Sequence, residues 1–189
     1  ADENDNFYFG IERFQTDGMS AMMHNDEKDR YRNNSLVGNY AHKFSDKIEF
    51  KSNLRVAETY TQYDKEVTTS TSDHSEEIDA LQSSANIALV YKPNSKLTNK
   101  ITLANSYIER IAAGTPSSGN TAQDNYYGTR YGFLYSGDYN FNLDNSVVFG
   151  FEREEDKMGY AKDGASRLDD HAYVTSSYFD YQSRVTNNI

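Results

Sequence analysis

Residues Ile48 to Val56 read IEFKSNLRV, and this stretch decides the fold. Its even positions, Ile48, Phe50, Ser52, Leu54 and Val56, are mostly apolar, whereas Glu49, Lys51, Asn53 and Arg55 between them are polar or charged. A period of two belongs to a β-strand, whose successive side chains point to opposite faces. The stretch is therefore a strand with one oily side and one charged side. The same alternation recurs outward from it. It appears at Phe7, Phe9 and Ile11, at Leu36, Gly38 and Tyr40, and at Ala85, Ile87, Leu89 and Tyr91 opposite Ser84, Asn86 and Lys92. It continues at Ile101, Leu103, Tyr107 and Ile111, and at the odd positions Tyr127, Tyr131, Phe133, Tyr135, Tyr139 and Phe141 with Arg130, Ser136, Asp138 and Asn140 among the even ones. Val147, Phe149 and Phe151, and then Tyr173, Thr175, Ser177, Phe179 and Tyr181, complete a set of about eight strands. A helical period of 3.6 is almost absent.

Composition narrows what such strands can build. The 189 residues carry 19 Lys+Arg against 29 Asp+Glu, a net charge of -10, with no cysteine and no tryptophan. Leu, Ile, Val and Phe supply 35 residues, under a fifth, which with this charge falls in the range usually read as disorder. Yet there are 16 Tyr and 10 Phe, and disordered chains are poor in aromatics. The composition calls for an architecture with little aliphatic core and many aromatics on a surface. An acidic chain without a basic run has no footprint for phosphate backbones, which argues against nucleic acid as a partner. No apolar stretch reaches the roughly 20 residues of a membrane helix, and the start, ADENDNFYFG, lacks the basic and apolar regions of a secretion signal. Without cysteine there are no disulfides, thiolate metal sites or cysteine nucleophiles.

Short turns are expected at Phe44–Lys47, Pro93–Thr98, Asn142–Asn145 and near Thr186–Asn188, and long polar connections at about Gln15–Tyr31, Asp64–Asp79, Ala112–Asp124 and Asp156–Asp169. Short and long connections thus alternate, as in an up-and-down meander. The segments HKFSDKIEF, YKPNSKLTNKITL, YNFNLDNSVVF and YQSRVTNNI repeat one plan at a spacing of about 45 to 50 residues: an aromatic or His, an Asn/Asp/Ser turn, then a fresh strand. The last copy runs out at Ile189, where a ninth strand is expected.

Strands of about 9 to 13 alternating residues match the roughly 9 to 11 that a tilted strand needs to cross a bilayer. Sheets in lipid must close, because unpaired edge groups find no water there. Tyr40, Tyr91, Tyr139, Phe141 and Tyr181 near the short turns, and Tyr60, Tyr107, Tyr127 and Tyr173 toward the long ones, stand where interfacial aromatic girdles belong. Tyr also favours strands for packing reasons alone.

Beyond periodicity, the segment YFGIERFQTDGMSAMMHNDEKDRYRNNSL, with TDG-x-S-A and D-x-YRN-x-S after a strand, resembles the early barrel strands of TonB-dependent outer-membrane receptors, most closely the cobalamin-receptor branch. SVVFGFEREEDK followed by HAYVTSSYFDYQSRVTNNI is similar to the mid-barrel of the same receptors. The resemblance covers most of the chain. It implies a barrel segment of about eight strands, from a family that places a plug domain ahead of a barrel of about 22 strands. Nothing in residues 1–189 resembles that plug, so the expectation is a single barrel region that would meet the TonB system only through a plug absent from this sequence.

Few residues point to chemistry. The four histidines, His24, His42, His74 and His171, are dispersed without zinc-ligand spacing, and no nucleophile elbow frames a Ser. An enzyme is not expected. GTPSSGN at Gly114 to Asn120 lacks P-loop spacing and its Lys. Carboxylates gather in the expected long connections: Asp26, Glu27 and Asp29; Asp64, Asp73, Glu76, Glu77 and Asp79; Glu154, Glu155 and Asp156. Asp64, Asp73, Glu76, Glu77 and Asp79 are candidate calcium ligands, because calcium takes several hard oxygens from acidic loops and the family resemblance implies such a site. Solvated loop tips explain the same residues. Tyr60, Tyr63, Tyr126 and Tyr127 are candidate ligand contacts by stacking.

The expectation is an all-β, antiparallel up-and-down transmembrane barrel segment in a Gram-negative outer membrane. Lipid surrounds it, and it takes part in import of a large scarce nutrient such as cobalamin or a ferric siderophore. The alternatives are a self-contained eight-stranded barrel, acting in adhesion or as a narrow pore, and a soluble ligand-binding β-sandwich.

Overall fold

Each alternating run forms a strand, in the order the sequence suggests. The computed structural model describes residues 4–19, 28–64, 75–114 and 122–184. Its strands are β1 (Asp5–Thr16), β2 (Tyr31–Ser45), β3 (Ile48–Asp64), β4 (Ser75–Asn94), β5 (Leu97–Gly114), β6 (Ala122–Asn140), β7 (Asn145–Lys162) and β8 (Ala165–Ser183). They form one sheet in the order β1 to β8, every neighbour antiparallel. No second sheet packs on it among the described residues, which removes the sandwich. β1 and β8 do not pair with each other, so the sheet is open, an up-and-down segment of a larger barrel rather than a closed eight-stranded one.

The register sorts the side chains into two faces. Partners directly opposite in an antiparallel pair share a face. Phe50 opposes Leu89, Leu89 opposes Ile101, Ile101 opposes Tyr135, and Tyr135 opposes Phe151. Ile48, Leu54, Val56, Leu103, Phe133 and Phe149 belong to this apolar face, whereas Lys51, Arg55, Asn86 and Arg130 belong to the polar one. Neither face has a filled core behind it. Leu54, Ile87, Leu89, Ile101 and Leu103 are 42–49% exposed, and the buried apolar residues among those described are Ala57, Ala88, Val90 and Val147.

The apolar belt crosses the strands obliquely. On β1 it is centred on Phe9, and the register carries Phe9 through Gly38, Leu54, Ala85, Asn105, Tyr131 and Glu155 to Tyr173 on β8. The apolar run of β8, however, is Phe179 and Tyr181, whose midpoint lies seven residues beyond Tyr173. The belt therefore slips by one residue for each of the seven steps from strand to strand. One rise of about 3.3 Å for each lateral step of about 4.8 Å corresponds to a strand tilt of about 35°. That is the tilt of membrane barrels. On β3 the belt runs from Ile48 to Val56, which at this tilt is about 22 Å along the barrel axis, close to the roughly 25 Å apolar band of membrane barrels.

Three expected features are corrected. The strands are 12 to 20 residues long, not 9 to 13. They continue past the belt as segments polar on both faces, where strict alternation fades. Glu76, Glu77 and Asp79 therefore lie on β4, and Glu154, Glu155 and Asp156 on β7, not in loops. The long connection expected at Asp156–Asp169 is a two-residue turn, Asp163-Gly164, with φ of 50° and 77°. Two left-handed residues make the turn whose twist matches a hairpin, and Asp-Gly is its preferred sequence. Strict alternation of short and long connections fails there. The three short turns expected at 44–47, 93–98 and 142–145 do sit side by side on one rim: Lys92 N donates to Lys47 O and Asn140 N to Lys96 O, both at 2.8 Å. The fourth, at 186–188, lies outside the described residues.

Candidate functional site

The polar face carries an apolar island toward the rim of the long connections. On β5, β6, β7 and β8 the register aligns Ile108 with Gly128, Met158 and Asp170. The next row toward that rim is Arg110, Tyr126, Tyr160 and Leu168, and the row on the other side is Ser106, Arg130, Asp156 and Ala172. Two adjoining cavities of about 550 and 570 Å³ share Ile108, Gly128 and Met158 as their floor. Gly128 keeps the floor open, since a Cβ there would stand 3.3 Å from Ile108 Cγ2.

The walls of the trough are ordered by polar contacts. Tyr126 and Tyr160 stack with ring centroids 4.8 Å apart, and Tyr160 Oη donates to Asp124 Oδ1 at 2.7 Å. Arg130 grips Asp156 through one edge of its guanidinium, Nε to Oδ1 at 2.6 Å and Nη2 to Oδ2 at 2.8 Å, with Nη1 3.8 Å from Glu154 Oε2. This planar two-point geometry holds the guanidinium over the trough. Arg55 lies on the same cavity wall. Half-exposed apolar side chains (Ile108 46%, Met158 50%, Leu168 47%) between aromatic rings and fixed charges suit an amphipathic ligand: apolar contact holds it, and the charges orient it.

The residues singled out from the sequence divide between the faces. Tyr126 is in the trough, while Tyr127, its neighbour along the strand, points to the apolar face and lies across Gly159. Tyr60 is also on the apolar face, where its Oη donates to Glu77 Oε1 at 2.7 Å. Tyr63 is on the polar face and donates to Glu76 Oε2 at 2.6 Å. Among the candidate calcium ligands, Glu77 and Asp79 share the apolar side and Glu76 the polar side of β4. Asp73 and the side chain of Asp64 lie outside the described residues. No group of three or more His, Asp or Glu is placed to hold a metal among the described residues. Ile108, Gly128, Met158, Tyr160 and Leu168 were not singled out, although one signal was present. Ile108, Met158 and Leu168 are apolar residues at even positions, the parity of the polar face on these strands.

No family model matches the chain, and no curated protein matches it. Among solved structures, the chain is similar to the RagAB peptide importer in its "closed-closed" state, with a TM-score of 0.63 at 12% identity. The match covers 96% of this chain and 29% of the importer chain, so this chain spans less than a third of that protein's length. At this identity the likeness shows the fold.

Proposed function

We propose that residues 1–189 form part of the wall of a Gram-negative outer-membrane barrel, the barrel portion of a TonB-dependent receptor that imports a large, scarce nutrient. The observation that carries this reading is the oblique apolar belt. A belt about 22 Å deep that slips one residue per strand is what a bilayer requires of strands tilted by about 35°, and it serves no purpose in water. The polar face then lines the lumen, and the trough on β5–β8 is a ligand seat on the transport path. Its role is binding and passage, without catalysis. Cobalamin and ferric siderophores, suggested by the sequence resemblance, and peptides, suggested by the importer of like fold, are all amphipathic and large enough to span the trough. Calcium held by Asp64, Asp73 and either Glu76 or the pair Glu77 and Asp79 belongs to the same proposal.

The test is made on the full-length gene product that contains this chain. Membrane fractionation should place it in the outer membrane, and its deletion should abolish growth when one of cobalamin, a ferric siderophore or an oligopeptide is limiting. Growth unchanged on all three, or a product found only in the soluble fraction, would refute the reading.

A further inference from the structure

A second furrow lies on the opposite, apolar face, and its ligand chemistry differs. A cavity of about 560 Å³ crosses β4 to β7 there, lined by Ala85, Ile87, Leu103, Tyr131, Phe133 and Arg153. Four of its lining residues make one row of the register, Ile87–Leu103–Phe133–Arg153, three steps of about 4.8 Å or about 14 Å in all. Because the belt is oblique, this row is not level in the membrane. At β7 it emerges above the last belt residue, Phe151, and at β4 it lies between Ala85 and Leu89, inside the belt. A chain laid along it from Arg153 toward Ile87 descends from the interface into the hydrocarbon.

Arg153 makes the upper end specific. Its guanidinium lies 5.5 Å from the Tyr173 ring and has no hydrogen bond or ion pair among the described residues. The one carboxylate beside it on this face, Glu155, is engaged by Lys157 Nζ at 3.1 Å and by Tyr173 Oη at 3.5 Å. Lys157 also sits over the Tyr131 ring at 5.8 Å. On β3 to β5 the first charges along this edge of the belt are acidic, Glu58 on β3, Glu77 and Asp79 on β4, and Glu109 on β5, whereas on β1 and β2 they are the cations Arg13 and Arg32. An anionic headgroup is repelled along β3–β5 and meets an unpaired cation at β7. A guanidinium offers two parallel donors to a phosphate, a fit that an ammonium lacks.

We propose that the furrow holds one phosphorylated lipid of the surrounding bilayer, its acyl chain over Ala85, Ile87, Leu103 and Phe133 and its phosphate on Arg153 with Lys157 behind. The site rests on the membrane reading above and is independent of what the barrel transports. The test uses the purified, delipidated full-length protein and native mass spectrometry. Dipalmitoyl phosphatidic acid and dipalmitoylglycerol carry the same chains with and without the phosphate. Phosphatidic acid should be retained about tenfold more than the diacylglycerol, Arg153→Gln should remove that preference, and Ala85→Phe, which fills the furrow, should weaken both lipids. Equal retention of the two lipids by the unmodified protein, or a preference that survives Arg153→Gln, would overturn the site. So would complete competition by millimolar inorganic phosphate, which would mark an anion site indifferent to chains. A protein that is absent from the outer membrane defeats the membrane reading itself, whereas one that inserts and imports but ignores the phosphate defeats only this site.

Discussion

Two sets of apolar side chains in this molecule are alike in composition and opposite in meaning. Ile87, Leu103 and Phe133 belong to a belt that continues through all eight strands, with no charge inside it on β3 to β6. Ile108, Met158 and Leu168 form an island on the other face, bounded within one residue pair by Arg110, Arg130, Asp156 and Asp170. A continuous belt is what a surrounding solvent, as in the bilayer proposed above, would require, because it contacts every strand equally. An island answers to a solute, which occupies one place and needs orienting charges around it. Hydrophobicity alone does not separate the two; continuity across the register does.

The contrast can be broken most forcefully in the belt. Leu103→Arg places a charge in the hydrocarbon, at about 2 to 4 kcal/mol near the midplane, and should lower both outer-membrane assembly and the denaturant midpoint in lipid vesicles. Gln82→Arg, opposite Ile108 on the polar face, should leave both unchanged. Equal loss from the two substitutions would mean that lipid does not contact one face in preference to the other.

A smaller effect is expected at the turn that builds the island. Gly164, with φ of 77°, fixes the hairpin that sets Leu168 beside Tyr160. Gly164→Val forces a β-branched residue into the left-handed region, at a cost of about 1 to 2 kcal/mol. Urea unfolding should move to a lower midpoint, with little effect from Lys162→Val, two residues away at the strand end. A midpoint unchanged by Gly164→Val would show that this turn does not hold the β7–β8 register.

The finest test fills the trough without touching the belt. Gly128→Leu projects a side chain between Ile108 and Met158 and should weaken ligand capture about tenfold, roughly 1.4 kcal/mol, with assembly intact. Capture equal to that of the unmodified protein would remove the trough from the transport path.

Much of the fold was legible because a period of two survives wherever one face is apolar and the other polar. Phe50, Leu89, Ile101 and Phe149 announce their face one by one. The reading weakened where that contrast ended. Past the belt, as at Glu76 to Asp79 and Arg153 to Lys157, both faces are wet. A strand there looks like a polar loop, although its ladder hydrogen bonds keep it extended. The Asp163-Gly164 turn is masked in the sequence for a related reason, because it lies within a charged run.

The sequence by itself determined the number of strands, their order, and which residues are oily on which strand, since these follow from local alternation and from turn residues that act over a few positions. Only the tertiary structure decided the register. Register is set by pairing between strands, and it alone shows that the belt slips one residue per strand, that Tyr126 and Tyr127 serve different faces, and that Ile108, Gly128 and Met158 meet. A site assembled from one or two residues on each of four strands leaves no local pattern, because its parts become neighbours only when the hydrogen-bond ladders align them.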